Sequence, residues 1–154
     1  MQMIVQYLDP FLESASSVIQ QVCNVDISRG ELAEREWSHV EGHTWIRIGM
    51  TGQLQGEVFF GLQEELALRI VSAMMGGYPV QEMDELGKSA ISELGNMISG
   101  NASTLLSNRG VIVDITPPLF LHQHDLKDMA GTALTAPLDL HDMGRLDIQI
   151  IVIR

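Results

Sequence analysis

The stretch from Met83 to Asn108 limits most strongly what this chain can fold into. It holds no proline, and Ile91, Leu94, Ile98, Ala102 and Leu105 recur at steps of three and four. That spacing marks one buried face of a helix. At about 100° per residue the five positions fall within roughly 80° of one another. Ser89, Glu93, Asn96 and Gly100 form a second, narrower stripe centred on the opposite side. The spacing predicts a long helix with one side in a core and the other a flat strip of small or polar residues. Glu93 and Asn96 stand at i, i+3, so both can reach the same object.

Polar residues opposite an apolar stripe are what any amphipathic helix shows, and alone they carry no function. This helix also breaks local rules. Gly95 and Gly100 lie in its interior, where each costs about 1 kcal/mol relative to Ala. Close approach of another backbone would compensate for that. Asn96 and Asn101 are poor residues there as well, because their amides compete with the backbone for hydrogen bonds. Rules broken this often in one element point to a site.

Composition sets the outer limits. With 154 residues, 45% hydrophobic and 19% charged, the chain suits one domain over 1–154 with a real core, and the composition argues against disorder. A net charge of −11, from 9 basic and 20 acidic residues, argues against nucleic acid or an anionic membrane as partner. Cys23 is the only cysteine, so an intrachain disulfide and a CxxC metal site are both excluded. No basic segment followed by an apolar core opens the chain, and no apolar run approaches the roughly 20 residues that span a bilayer. A cytoplasmic protein is the expectation.

In chain order, Asp9 to Asn24 reads as a first helix, with Asp9 as N-cap and Pro10 at the first helical position. Val25 to Trp37 is an extended or strand segment with an acidic connection. Thr44 to Met50 and Gln53 to Leu62 read as an antiparallel hairpin turned at Thr51-Gly52. Gln63 to Met75 is a second helix, ended by Gly76-Gly77. After the central helix, Gly110 to Ile115 reads as a buried strand and Leu119 to Leu121 as a short extended piece. His122 to Ala130 is a polar loop with room for a helical turn. Thr132 to Leu140 and Arg145 to Arg154 are two closing strands around Asp142-Met143-Gly144. Both halves thus run helix, then about three strands. Laying the first helix on the central one sets Ser17 against Glu93 and Gln20 against Asn96. The expected fold is α+β, a mainly antiparallel sheet packed with long helices.

The pattern Ser89-x-x-x-Glu93-x-x-Asn96-x-x-x-Gly100-Asn101 resembles the signature helix of the CheC/CheX/FliY chemotaxis phosphatases, which act on the phosphorylated response regulator CheY. The opening Tyr7-Leu8-Asp9-Pro10-Phe11-Leu12-Glu13 is similar to the start of CheX chains. The resemblance implies a CheC-like two-layer fold with one copy of the motif, as in CheX, and a phosphorylated CheY-type regulator as partner. It implies that Asn96 orients the attacking water and that Glu93 binds the regulator's active-site lysine. Gly100 would give backbone clearance, with Ser89 and Asn101 flanking the contact. The chain would need no cofactor of its own, since the Mg²⁺ sits on the partner. A homodimer joined through sheet edges is implied too; Arg145 to Arg154, which alternates and carries charge only at Arg145, Asp147 and Arg154, could serve as such an edge, though a core strand reads the same.

The chemistry agrees with those residue types. An aspartyl phosphate is an acyl phosphate, and its hydrolysis asks for an in-line water and a favourable surrounding charge. An amide accepts from the water through its carbonyl and donates to a phosphoryl oxygen through its NH₂. A carboxylate pairs with a lysine and sets register. Other readings have less behind them. His122-x-His124-Asp125 is a weak metal candidate, His39, His43 and His141 are scattered, and no HExxH, GxGxxG, P-loop or GxSxG spacing occurs. The competing functions are an adaptor that holds a phosphorylated receiver without turnover, and a structural relative of the flagellar switch.

Overall fold

A computed structural model describes residues 2–37, 42–121, 125–126 and 131–153. Among the described residues three helices and eight strands follow in the order α1 (Gln2–Cys23), β1 (Ile27–Arg29), β2 (Ala33–Glu36), β3 (His43–Gly52), β4 (Gln55–Gln63), α2 (Glu64–Met74), α3 (Glu85–Asn108), β5 (Val113–Ile115), β6 (Leu119–Phe120), β7 (Thr132–Leu140) and β8 (Gly144–Ile153). The strands form a single antiparallel sheet in the order β1-β7-β8-β4-β3-β5, with β2 also on β7 and β6 also on β3.

This order gives the expected repeat a definite form. One half is α1, β1 with β2, β3 and β4, and the other is α3, β5 with β6, β7 and β8. The hairpins β3–β4 and β7–β8 meet along β4 and β8, which pair from Gln55↔Ile153 to Leu62↔Leu146. Each half then adds its short outer strands to the other half's hairpin, β1 and β2 to β7, β5 and β6 to β3. One expectation fails here. The closing strand β8 lies between β7 and β4 and is not an edge, because its alternating apolar residues serve a central strand equally well.

Alternation along the strands divides the faces. Ile46, Ile48 and Met50 of β3, Val58, Phe60 and Leu62 of β4, and Leu146, Ile148 and Ile150 of β8 point to the helices and are buried with them. The opposite face is mostly polar, apart from a small cluster of Trp37, Trp45, Phe59 and Leu126. Trp45 lies across Gly61, where an added Cβ would come within 2.5 Å of the indole. Gly61 is there to admit that ring.

The first helix starts seven residues earlier than the sequence suggested, and Pro10 lies inside it. Pro10 has no N–H to give the carbonyl four residues back, which is that of Gln6. The Arg109 guanidinium instead donates to the Gln6 carbonyl at 3.4 Å, and also reaches Asp9 at 3.4 Å. Asp9 accepts from Arg29 on its other oxygen at 3.0 Å. Asp9 is therefore an anchor for two arginines rather than a cap. Asn24 does end the helix, in the left-handed region at φ 54°, as its amide side chain tolerates.

The strand expected from Gly110 shrinks to Val113–Ile115, and only Val113 in it is buried. His39, His122 and His124 lie outside the described residues.

Gly61→Val should displace Trp45 and destabilise the fold by about 1–3 kcal/mol, the usual penalty of overpacking. Urea unfolding followed by tryptophan fluorescence should show a lower midpoint with an unchanged slope.

Candidate functional site

The central helix begins at Asp84, whose carboxylate accepts from the Gly87 amide at 2.8 Å. That N-cap fixes where the helix starts and hence the rotation of everything after it. Ile91, Leu94, Gly95, Ile98, Ser99, Ala102 and Leu106 are buried. Leu106 takes the place expected for Leu105, which is only partly buried. The buried arc is wider than the sequence implied because α3 packs on α1 and α2 as well as on the sheet. Ser14 of α1 donates to the Ile98 carbonyl at 2.5 Å, tying the two long helices together.

With that side buried, the other is turned outward. Ser89, Glu93, Asn96 and Asn101 are all exposed, and Gly100 is half-buried. None of these four side chains makes a hydrogen bond or ion pair with another described residue. The two helix glycines differ. Gly95 faces the sheet, where an added Cβ would find Ile48, Ile46 and Pro118 at 3.7–3.8 Å, an ordinary packing distance. Gly100 would find nothing within 4 Å. No contact among the described residues compensates Gly100 for its poor helix propensity.

The strip does not stand on bare helix alone. A groove of about 580 Å³ runs along it, between α3 and the segment from Ile115 to Phe120. Ser89, Ser92, Glu93 and Asn96 line the helix side, and Thr116, Pro117 and Pro118 line the other. Sequence reasoning missed this second wall. The only signal was the Pro117-Pro118 pair, which reads as a strand break.

Other chemistry has less in its favour. Among the described residues no three His, Cys, Asp or Glu side chains come together. His141 sits beside Asp142 at 3.3 Å on the surface. Burial pushes the Cys23 thiol above its ordinary value, which makes it a poor nucleophile. Among the described residues no helix is long and apolar enough to cross a membrane.

Similarity to known proteins bears on the family and on the fold. The family model for chemotaxis phosphatase CheX matches residues 45–136. The CheY-P phosphatase CheX of Thermotoga maritima is 40% identical over 118 residues, covering 75% of this chain and 76% of that protein. This chain belongs to the CheX family. Among solved structures, the CheX of a CheX–CheY–BeF₃–Mg²⁺ complex from Borrelia burgdorferi is similar at 27% identity, with a TM-score of 0.77 over 96% of this chain and 98% of that one. CheX from Vibrio vulnificus shares the fold at a TM-score of 0.83 and 22% identity, covering 96% and 99% of the two chains. The CheC-like fold expected from the sequence is thus found.

Gly100→Ala should raise stability by about 1 kcal/mol, since the methyl group gains helix propensity and meets nothing. Thermal unfolding should show a midpoint a few degrees higher.

Proposed function

We propose that Asn96 and Glu93 are the working residues of this chain, which is a phosphatase for a phosphorylated CheY-type response regulator. The reading rests on their exposure, side by side and without partners among the described residues, in a chain 40% identical to a CheY-P phosphatase.

Hydrolysis requires a water oxygen to form a bond to phosphorus while the bond from phosphorus to the aspartyl oxygen breaks. The products are a free aspartate carboxylate and inorganic phosphate. Asn96 holds the water through its carbonyl oxygen and donates its NH₂ to a phosphoryl oxygen. Glu93 pairs with the lysine near the phosphorylated aspartate, a contact that fixes register and compensates charge. Ser89 and Asn101 flank the contact, and Gly100 lets the partner's backbone approach. The Mg²⁺ would belong to the receiver, where it would supply charge compensation for the phosphoryl group. No covalent intermediate forms on this chain, which supplies positioning alone.

A cytoplasmic location and a homodimer belong to the same proposal. Among the described residues the strands left with one open side are β5 and β6 at one end of the sheet and β1 and β2 at the other, so a sheet-edge dimer would use one of these ends. Sedimentation equilibrium would then give twice the 17.0 kDa of one chain.

The test is the decay of phosphorylated receiver in Mg²⁺ with and without the protein. Asn96→Ala should remove the acceleration, a loss of about a hundredfold or more, while binding stays close to wild type. Glu93→Ala should weaken binding and rate together, by about tenfold. Unchanged decay with both variants overturns the residue assignment. Binding without any acceleration by the wild-type protein favours the adaptor reading.

A further inference from the structure

The groove beside Asn96 is more than space left by the helix, because its far wall is held in place at both ends. The Gly49 amide donates to Thr116 Oγ1 at 2.8 Å, and the Thr116 amide returns a bond to the Gly49 carbonyl at 2.9 Å. Pro117 and Pro118 follow, with backbone φ locked by their rings. Pro118 reaches the surface of α3 at Gly95. Leu119 and Phe120 then pair with Arg47 and Ile46 of β3, and the Leu121 amide donates to the Trp45 carbonyl at 3.0 Å. The wall is thus fixed to the sheet before and after the two prolines.

The two sides differ in chemistry. Hydroxyls and an amide from Ser89, Ser92 and Asn96 face an apolar wall of Pro117, Pro118 and the half-buried Phe120. Lys88 stands at the end nearer the helix start, paired among the described residues with Glu85 at 3.9 Å and open to solvent. A surface polar on one side, apolar on the other and rigid on both suits a loop of protein, with backbone amides against the hydroxyls and an apolar side chain against the prolines. Ordering such a loop costs little on the receiving side, because nothing there must be immobilised.

We infer that this groove is the second half of the receiver's docking surface, taking the loop beside its phosphorylated aspartate while the α3 strip reaches the phosphoryl group. The inference rests on the functional reading above, and the occupant follows from continuity, since Glu93 and Asn96 line both the strip and the groove. The Thr116–Phe120 wall positions the partner and takes no part in the reaction. Its residues therefore govern how much phosphorylated receiver is needed, and Asn96 governs how fast the bound receiver turns over.

Two variants probe the groove from opposite sides. Ser92→Trp fills it from the helix, at a half-exposed position where the ring has solvent to occupy. Phe120→Ala removes apolar surface from the wall without touching α3's exposed strip. The phosphorylated receiver is titrated against each variant, and circular dichroism checks that helix content matches wild type. Ser92→Trp should raise KM about tenfold or more and Phe120→Ala about threefold, each with kcat within about threefold of wild type. A wild-type KM for Ser92→Trp, in a protein whose activity is still lost in Asn96→Ala, overturns the groove and leaves the phosphatase standing. A fall in kcat at unchanged KM for both variants also overturns it, since the wall would then be shaping the chemistry. Activity that survives Asn96→Ala instead removes the reading on which the groove depends.

Discussion

The pairing of β4 with β8 is the contact on which the rest of the molecule hangs. It joins two hairpins that are distant in sequence, and it is the seam across which each half passes its outer strands to the other. Because the exchange is reciprocal, neither half can keep its sheet while the other unravels. The seam also settles the faces. Val58, Phe60, Ile148 and Ile150 all point to the same side from adjacent strands, and that side alone offers enough apolar surface to bury long helices. α1 and α3 land there together, and Ser14 ties them at Ile98. The outward strip on α3 is what remains once the sheet and α1 have claimed the other side.

Seen this way, the strip is paid for by the fold rather than by itself. Gly100, Asn96 and Asn101 each weaken the helix that carries them, and no described contact of their side chains returns anything. The burial of Ile91, Leu94, Ile98, Ala102 and Leu106 holds the helix regardless. Tertiary packing can override propensity by this margin because each buried aliphatic contributes about 1.5–3 kcal/mol, more than a single poor helix residue removes. Residues unfavourable to a free helix can therefore stand on α3 wherever another molecule must come close.

The sequence made much of this legible, and the misses share a cause. The central helix and the identity of its bare strip followed from periodicity, because a helix writes its two faces into one continuous stretch. The β3–β4 and β7–β8 hairpins followed for the same reason. Exchange of the outer strands did not, because β1, β2, β5 and β6 are two to four residues long and carry no pattern that names a distant partner. The reading of β8 as an edge failed on the same point. Pro10 misled because proline usually opens a helix, and only Arg109, about 100 residues away, shows how the freed Gln6 carbonyl is met. The groove wall was hidden likewise, since Thr116 is anchored by Gly49, which lies 67 residues earlier.

A helix is a suitable carrier for this kind of chemistry. The reaction needs an attacking water held in line with phosphorus, and misplacement by about 1 Å can cost a hundredfold. Helical hydrogen bonds fix the i, i+3 offset of Glu93 and Asn96 without help from any loop. Asn has only two side-chain torsions, so little freedom would be lost in the role proposed for Asn96. A loop could present the same two groups but would have to be ordered by the partner first, at the expense of affinity. The divided chemistry explains the rest of the surface. When the reactive acyl phosphate arrives on another protein, this chain needs no buried nucleophile and no tuned acid. It needs a rigid edge, bare of bulky groups, and a place beside it for the rest of the partner to rest.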